Sequence, residues 1–355
     1  MPNRNFWQGR RVLVTGHTGF KGSWLSLWLT EMGADVVGLA LEPPTTPSLF
    51  ELAGVASRVE SIIGDIRDAD LVSEVIRRVQ PEVLVHMAAQ ALVRPSYSDP
   101  VETYATNVMG TVHMLEGARS TPSIKAFVSV TSDKCYENRE WVWGYREDEA
   151  FGGHDPYSNS KACAELVTSA YRSSFFGTAG TAVASARAGN VIGGGDWATD
   201  RLVPDIVKAM SAGTPVRIRN PNAVRPWQHV LEPLAGYLML AERLMEHGAA
   251  YAEGWNFGPS EDSAQTVQWI VERMVDRWGD QAKWTIDAGD HPHEAHFLKL
   301  DCSKARQRMA FRPRLDLSET LDWVVDWHRA VDRGESALAV TCRQIAEFEA
   351  RADAV

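Results

Sequence analysis

Cysteine is scarce in this chain. Four residues in 355, Cys135, Cys163, Cys302 and Cys342, are scattered without Cys-x-x-Cys spacing. That pattern supplies neither a disulfide framework nor a thiolate zinc site, so free buried thiols and no metal are expected. Positive charge is also in deficit: 36 Lys and Arg stand against 46 Asp and Glu, a formal net charge of −10. A surface that tracks a phosphate backbone needs a broad basic excess, so no nucleic-acid partner is expected, and any anionic ligand must meet a local basic cluster. No run approaches the roughly 18 apolar residues that cross a bilayer. The opening Met1-Pro2-Asn3-Arg4-Asn5-Phe6-Trp7 carries no apolar signal segment. A cytoplasmic protein without a membrane partner is the expectation. Repeats and low-complexity tracts are missing as well, and 45% hydrophobic with 23% charged residues is an ordinary globular composition, long enough for one large lobe and a smaller one.

What is present is an alternation of short β-branched runs with amphipathic stretches, the pattern of a parallel sheet covered by helices. It predicts strands over 11–15, 35–40, 59–63, 83–87, 126–131 and 181–186, and helices over 21–32, 70–79, 100–119 and 157–176. Together these make an α/β, doubly wound parallel sheet, whose ligand crevice lies at the carboxyl ends of its strands. After Gly189 the sequence turns rich in Gly, Pro and Trp, broken by one apolar helix near 202–212, which reads as a smaller C-terminal substrate-binding lobe. The expected division is 1–187 for cofactor, with 226–262 returning to it, and 188–225 with 263–355 for substrate. The last twenty residues read as an amphipathic helix.

Gly16-x-x-Gly19-x-x-Gly22 follows a strand and opens a helix, so backbone N–H groups can face a pyrophosphate where β-carbons are missing. Thr18, Phe20 and Lys21 lie within the same turn. The second predicted strand ends at Ala40 where an acid would hold the ribose of NAD, and Glu42 comes two residues later; no Arg nearby seats a 2′-phosphate, which tilts the choice to NAD. Asp65 and Ile66 follow strand three, where Asp65 either reaches the adenine edge or caps the helix near Asp70. Ala88, Ala89 and Gln90 end strand four with small residues that permit close approach. Asn107, mid-helix where Asn is unfavourable, either makes a structural hydrogen bond or lies beside the cofactor. Tyr157 and Lys161 are one helical turn apart, so the ammonium can lower the phenol's pKa and let it exchange a proton with a sugar hydroxyl. Tyr-x-x-x-Lys alone also fits a solvated helix face; the glycine turn upstream points to dinucleotide chemistry. Ser132, Asp133 and Lys134 end strand five, a hydroxyl beside an ionisable pair that can take one proton and give another. A surface salt bridge is the plain alternative for that pair.

At these residues the sequence resembles the extended short-chain dehydrogenase/reductase family and, within it, the nucleotide-sugar 4,6-dehydratases, over nearly the whole chain. Four blocks, Thr15–Leu25, Ser132–Asn138, Gly189–Trp197 and Arg225–Val230, look like the branch that acts on CDP-glucose. The resemblance implies a Rossmann fold, NAD as cofactor and a hydro-lyase that makes CDP-4-keto-6-deoxyglucose for deoxysugar and surface polysaccharide. It implies Tyr157 and Lys161 as the oxidation pair with Ser132 beside them, and Asp133 as the acid at C6. Most such enzymes carry Asp-Glu where this chain has Asp133-Lys134; Lys134 must then serve as a neutral base at C5 or steady the enolate. For the diphosphate it implies Asn190 and Arg225; by charge alone Arg201, Arg217 and Arg219 are further candidates, the last two fitting solvated strand positions equally, and Arg94 is placed to reach the sugar or the other subunit. Helices 100–119 and 157–176 resemble those that pair in a homodimer or homotetramer. A 4-epimerase would share Tyr157 and Lys161 but lack the Asp133-Lys134 pair; a scaffold that only senses the dinucleotide would tend to lose Tyr157 and Lys161.

Overall fold

The computed structural model describes residues 1–177, 180–279, 282–287 and 298–351. Seven strands form the central sheet: β1 Arg11–Thr15, β2 Asp35–Ala40, β3 Glu60–Ile63, β4 Val83–His86, β5 Ala126–Val130, β6 Ala182–Arg187 and β7 Gly254–Asn256. Their order is β7-β6-β5-β4-β1-β2-β3, with every pairing parallel. β4, β5 and β6 are buried along their whole length, as continuous β-branched and small runs require when helices cover both faces. The chain winds outward in both directions from β1 and β4, where Thr15 pairs with His86, so a crevice opens at the carboxyl ends of these two strands.

Six strands were legible from periodicity; β7 is the addition. Only three residues long, it is too short to show an alternation, and it pairs Gly254 with Ser185 and Trp255 with Ala186. The helix Leu231–His247 precedes it, buried over most of its length and packed on β5 and β6. Segment 226–262 thereby meets the sheet. The expected helix 100–119 is three pieces: Pro100–Tyr104, a wide π-helical turn Ala105–Met109, and Gly110–Arg119. Helix 157–176 likewise runs as Pro156–Tyr171 and a π turn Arg172–Phe176. The C-terminal helix spans Ala337–Ala350; residues 352–355 of that expectation lie outside the described residues.

A second hydrophobic cluster holds the smaller lobe. It gathers Val203, Ile206 and Val207 of the helix Leu202–Ser211, Val216 and Ile218, Ile270 and Met274, and Leu321 and Val324. Val216–Ile218 pairs in parallel with Trp284–Ile286, and Val224–Pro226 runs antiparallel to Ala264–Thr266.

One buried acid ties the C-terminal connection to the sheet-covering helix. Glu232, 1% exposed, accepts the N–H groups of Arg314 and Leu315 at 2.8 Å each through Oε1, while Oε2 has no partner. Burial pushes its carboxyl up to about 7 against the pull of those two N–H groups and of Arg314 and Arg351. An acid whose pKa rises on folding favours the fold at low pH and loses that contribution as pH climbs from its unfolded value through 7, a loss on the order of 3 kcal/mol. Glu232→Gln keeps the oxygen acceptor and cannot ionise. Its melting temperature is expected to exceed the parent's at pH 8 and to converge with it below pH 4.5; equal melting curves at both would remove the assignment.

Candidate active site

β1 ends at Thr15, whose hydroxyl accepts the N–H groups of Met87 and Ala88 at 3.0 Å and so stitches the first loop to the end of β4. The chain turns at Gly16, which has φ +80°; a β-carbon there would sit 2.9 Å from the Ala88 nitrogen. On Gly22 a β-carbon would lie 2.0 Å from the Gly16 carbonyl oxygen, so the helix Phe20–Glu31 is packed straight onto the turn. Gly19 differs. A β-carbon at that position meets only the Gly16 oxygen, at 3.4 Å, so protein packing does not require glycine there. Its role is to leave room, and no side chain caps the first N–H groups of the helix it opens. Vacant space beside uncapped N–H donors suits a dinucleotide pyrophosphate, and these residues fit NAD.

The other expected cofactor residues surround this cradle. The Thr18 hydroxyl donates to the Leu41 carbonyl at 2.8 Å, fixing the turn to the end of β2, where Leu41 and Glu42 are exposed. The Asp65 carboxylate is held by the Arg67 backbone N–H and guanidinium, 2.8 Å each, and the Arg67 bond draws its pKa down. The cap of helix Ala69–Val79 is Asp68, which accepts from Asp70 and Leu71, so the capping alternative for Asp65 is corrected. Ile66 turns its side chain into the core beside Gly110, and its carbonyl bonds the His113 ring at 2.9 Å. Asn107, 2% exposed, accepts from the Gln90 N–H at 2.8 Å and donates to the Gln90 carbonyl and to the Ser160 hydroxyl at 3.0 and 2.8 Å. It braces the β4 loop, with Ala88, Ala89 and Gln90, against the helix Pro156–Tyr171.

That helix starts where sequence chemistry puts it. Asp155 caps it through Ser158, Pro156 fills the first position, and the uncapped N–H of Tyr157 donates to the Ser96 hydroxyl at 3.1 Å. Tyr157 and Lys161 are both buried. Burial raises the Tyr157 phenol to about 12, opposed by its hydrogen bond with Ser132 and by Arg201. Burial also lowers Lys161, to about 8, with Glu165 acting in the opposite direction. In this state desolvation dominates both groups, and Ser132 is the main counterweight on Tyr157.

Facing them, the end of β5 opens a short helical turn, Asp133–Cys135. Ser132 caps that turn by accepting the Lys134 N–H at 3.3 Å and donates to Asp133 Oδ1 at 3.0 Å. Asp133 is 4% exposed. Burial drives its carboxyl above the ordinary range, with Lys134, Ser132 and Arg225 pulling the other way. Gly189 makes this possible, because a β-carbon there would lie 1.8 Å from an Asp133 oxygen. Lys134 is exposed. Lys21 completes the wall: its ammonium donates to the Tyr237 hydroxyl at 3.1 Å, and burial, then Lys161 and Arg201, bring it down to about 7. Tyr237 feels Asp133 and Tyr157; neither it nor Gly189 stands out in the sequence, being a lone tyrosine in an apolar helix and one glycine among many.

The basic candidates divide into two groups. Arg201 and Arg225 act on Tyr157 and Asp133, so they border the reacting groups; Arg201 also pairs with Asp196 at 3.2 Å. Asn190 stands close by at φ +46°, its carbonyl accepting the Gln228 N–H at 3.2 Å. Arg94 and Arg219 instead share Asp200, at 2.8 and 3.6 Å. Arg217 is exposed on strand Val216–Ile218 between two buried neighbours, and Arg219 lies one residue past the strand.

Comparison with known proteins follows these features. The chain is 60% identical over 353 residues to the CDP-glucose 4,6-dehydratase of Salmonella typhimurium, with 98% of each covered. To the dTDP-glucose 4,6-dehydratase of Streptomyces antibioticus it is 28% identical, covering 90% of this chain and 92% of that one. Its fold resembles DesIV, a dTDP-glucose 4,6-dehydratase of Streptomyces venezuelae solved with NAD bound, at TM-score 0.76 and 26% identity over 92% of this chain and 99% of that one. The UDP-glucose 4-epimerase of Thermotoga maritima gives 0.74 at 22% identity, covering 90% and 99%, a likeness of fold. The family model for GDP-mannose 4,6 dehydratase matches residues 13–323, a span that holds the glycine turn, the Ser132–Lys134 loop, the Tyr157 helix and Arg225. By that match and the Salmonella relative together, the chain belongs to the GDP-mannose 4,6 dehydratase family.

Proposed function

We propose that this protein removes water from CDP-glucose to give CDP-4-keto-6-deoxyglucose. The buried Asp133 carboxyl carries the reaction class: it lies at the end of β5 hydrogen-bonded to Ser132, its pKa is raised, and Ser132 also acts on the Tyr157 phenol. An enzyme that stopped at the 4-keto stage would have no use for a buried carboxyl there. The substrate follows from the 60% identical relative, which is a CDP-glucose 4,6-dehydratase.

NAD, when bound, accepts the C4 hydrogen as hydride and later delivers it to C6, ending as it began. Tyr157 takes the C4 hydroxyl proton, with Ser132 aligning the hydroxyl. Formation of the ketone acidifies C5–H. Asp133 gives its proton to the departing C6 hydroxyl while Lys134, as the free amine, takes the C5 proton and returns it to C5 as the hydride reaches C6. Lys134 follows Asp133 in the chain and acts on its carboxyl, which makes it the candidate for that transfer. Arg225 and Arg201, which act on Asp133 and Tyr157, and Asn190 beside them are the groups that would receive the diphosphate. Arg94 and Arg219 reach it by releasing Asp200.

The test is CDP-glucose deuterated at C4, incubated with protein and NAD and followed by mass and NMR. Deuterium recovered at C6 of a 4-keto-6-deoxy sugar is expected. CDP-galactose as product would install an epimerase, and an unchanged sugar would reject this substrate.

A homodimer accompanies this reading. Tyr97, Val101, Tyr104 and Met109, together with Leu166 and Phe175, are exposed on helical segments that pack against one another, an apolar face suited to a second copy of the chain. Val101→Glu with Leu166→Glu is expected to give monomers by light scattering; an unchanged mass would move the interface elsewhere.

A further inference from the structure

Beneath the reacting groups lies an ion pair that the proposed chemistry does not use. Glu165, 2% exposed, stands one helical turn after Lys161 and accepts four hydrogen bonds. The Thr131 hydroxyl and Arg187 Nε reach Oε1 at 2.5 and 2.9 Å; the Ser185 hydroxyl and Arg187 Nη2 reach Oε2 at 2.5 and 2.9 Å. Both oxygens are filled, and the donors come from the end of β5 and from β6. Arg187 in turn donates to the Tyr136 hydroxyl at 2.5 Å, and Tyr136 donates to Asn256 on β7 at 2.8 Å. Thr131 adjoins Ser132 and Tyr136 closes the Asp133–Cys135 turn, so one carboxylate joins both ends of the proton-transfer loop to the helix that carries Tyr157 and Lys161.

A buried pair of this kind gains little net stability over apolar side chains of the same volume, because desolvating two charges offsets their attraction. Its location argues for another purpose. We propose that Glu165 is a positioning residue of the active site, fixing the Lys161 turn against β5 and β6 and setting a permanent negative charge behind the Lys161 ammonium. The charges facing Lys161 support this. Its own helix brings Glu165, the Asp133–Cys135 turn brings Cys135, the helix after the glycine turn brings Lys21, and β4 brings His86. Lys21 and burial both oppose the ammonium, and Glu165 is the foremost group that favours it. The Val130 carbonyl at 3.5 Å is a weak additional acceptor.

The inference rests on the proposed dehydration only for its kinetic readout. Glu165→Gln keeps the shape and removes the charge; in folded protein the alkaline limb of kcat is expected to move down by one pH unit or more. Glu165→Asp, which keeps the charge, should retain the limb while losing turnover through the lost Thr131 and Ser185 contacts. The paired variant Glu165→Gln/Arg187→Gln leaves no unpaired buried charge if the single change does not fold, and predicts the same displacement. Titration of the Lys161 side-chain carbon signal, assigned by its loss in Lys161→Arg, needs no sugar and separates this idea from the choice of substrate. A limb and a lysine titration unmoved in a folded neutral variant would overturn the proposal. So would aggregation of both neutral variants, since Glu165 would then be a folding residue alone.

Discussion

Asp133→Asn is expected to oxidise C4 of the bound sugar and then halt. The amide keeps the size of the carboxyl and its acceptor for Ser132, so the loop should hold its geometry. What disappears is the proton for the leaving C6 hydroxyl, and general acid catalysis of this sort contributes about 10²–10⁴-fold. Formation of the 6-deoxy product should fall by that factor, while the absorbance of reduced nicotinamide rises to one equivalent per site and persists. The pH dependence has a definite sign. Because burial raises the folded carboxyl above its ordinary range, the acid is available at higher pH than an exposed aspartate would be, and elimination in the parent should slow as pH climbs past that raised value. Full turnover by the Asn variant would remove Asp133 from the chemistry. The surface salt bridge, the plain alternative for the Asp133-Lys134 pair, is already disfavoured by geometry, since Asp133 is 4% exposed and spends an oxygen on Ser132.

Much of this architecture could be read from the sequence because each piece is local. The first six strands announce themselves as short β-branched runs, the glycine turn by its spacing, and the start of the Tyr157 helix by Asp155-Pro156. What could not be read depends on pairing at a distance. β7 has three residues and takes its identity from its register with β6. Glu165 and Arg187 are 22 positions apart and meet only because the helix Pro156–Tyr171 packs along the sheet. Tyr237 is a single polar group in an apolar helix, and its closeness to Lys21 exists only after Leu231–His247 has crossed the sheet. The balance of influences on Tyr157 and Lys161 is hidden for a different reason. Spacing predicts proximity, yet burial depth decides which electrostatic influence is larger, and depth belongs to the assembled fold. Arg94 and Arg219 illustrate the same limit: as sequence they are two basic residues, whereas in the structure both are claimed by Asp200.

Tyr157→Phe should fail one step earlier than the Asp133 variant. With the phenol raised to about 12 and Lys161 lowered to about 8, Tyr157 holds its proton at neutral pH in this state, so it takes the C4 hydroxyl proton through its ionised minority form, the path that Ser132 and Arg201 favour. Ser132 is the group hydrogen-bonded to it. Removal of the phenol oxygen breaks that path, and loss of turnover by about 10²–10⁴-fold is expected with no rise in reduced nicotinamide, since C4 oxidation itself is blocked. The pH profile distinguishes the partners. C4 oxidation, followed as reduced nicotinamide in single turnover in an Asp133→Asn background so that the acid does not contribute, should climb with pH as the phenol gives up its proton more readily, until Lys161 loses its charge near 8. Arginine does not titrate in this range, so Lys161→Arg should keep climbing where the parent turns over, at a lower overall rate. An alkaline limb that survives in Lys161→Arg would assign it to another group, with Lys21, at about 7 and within the same wall, the next to replace. Read together, the two variants divide the reaction at the ketone: one stops before it forms and one after, and a protein that stopped at the same point in both would need a mechanism in which Asp133 and Tyr157 serve a single proton transfer.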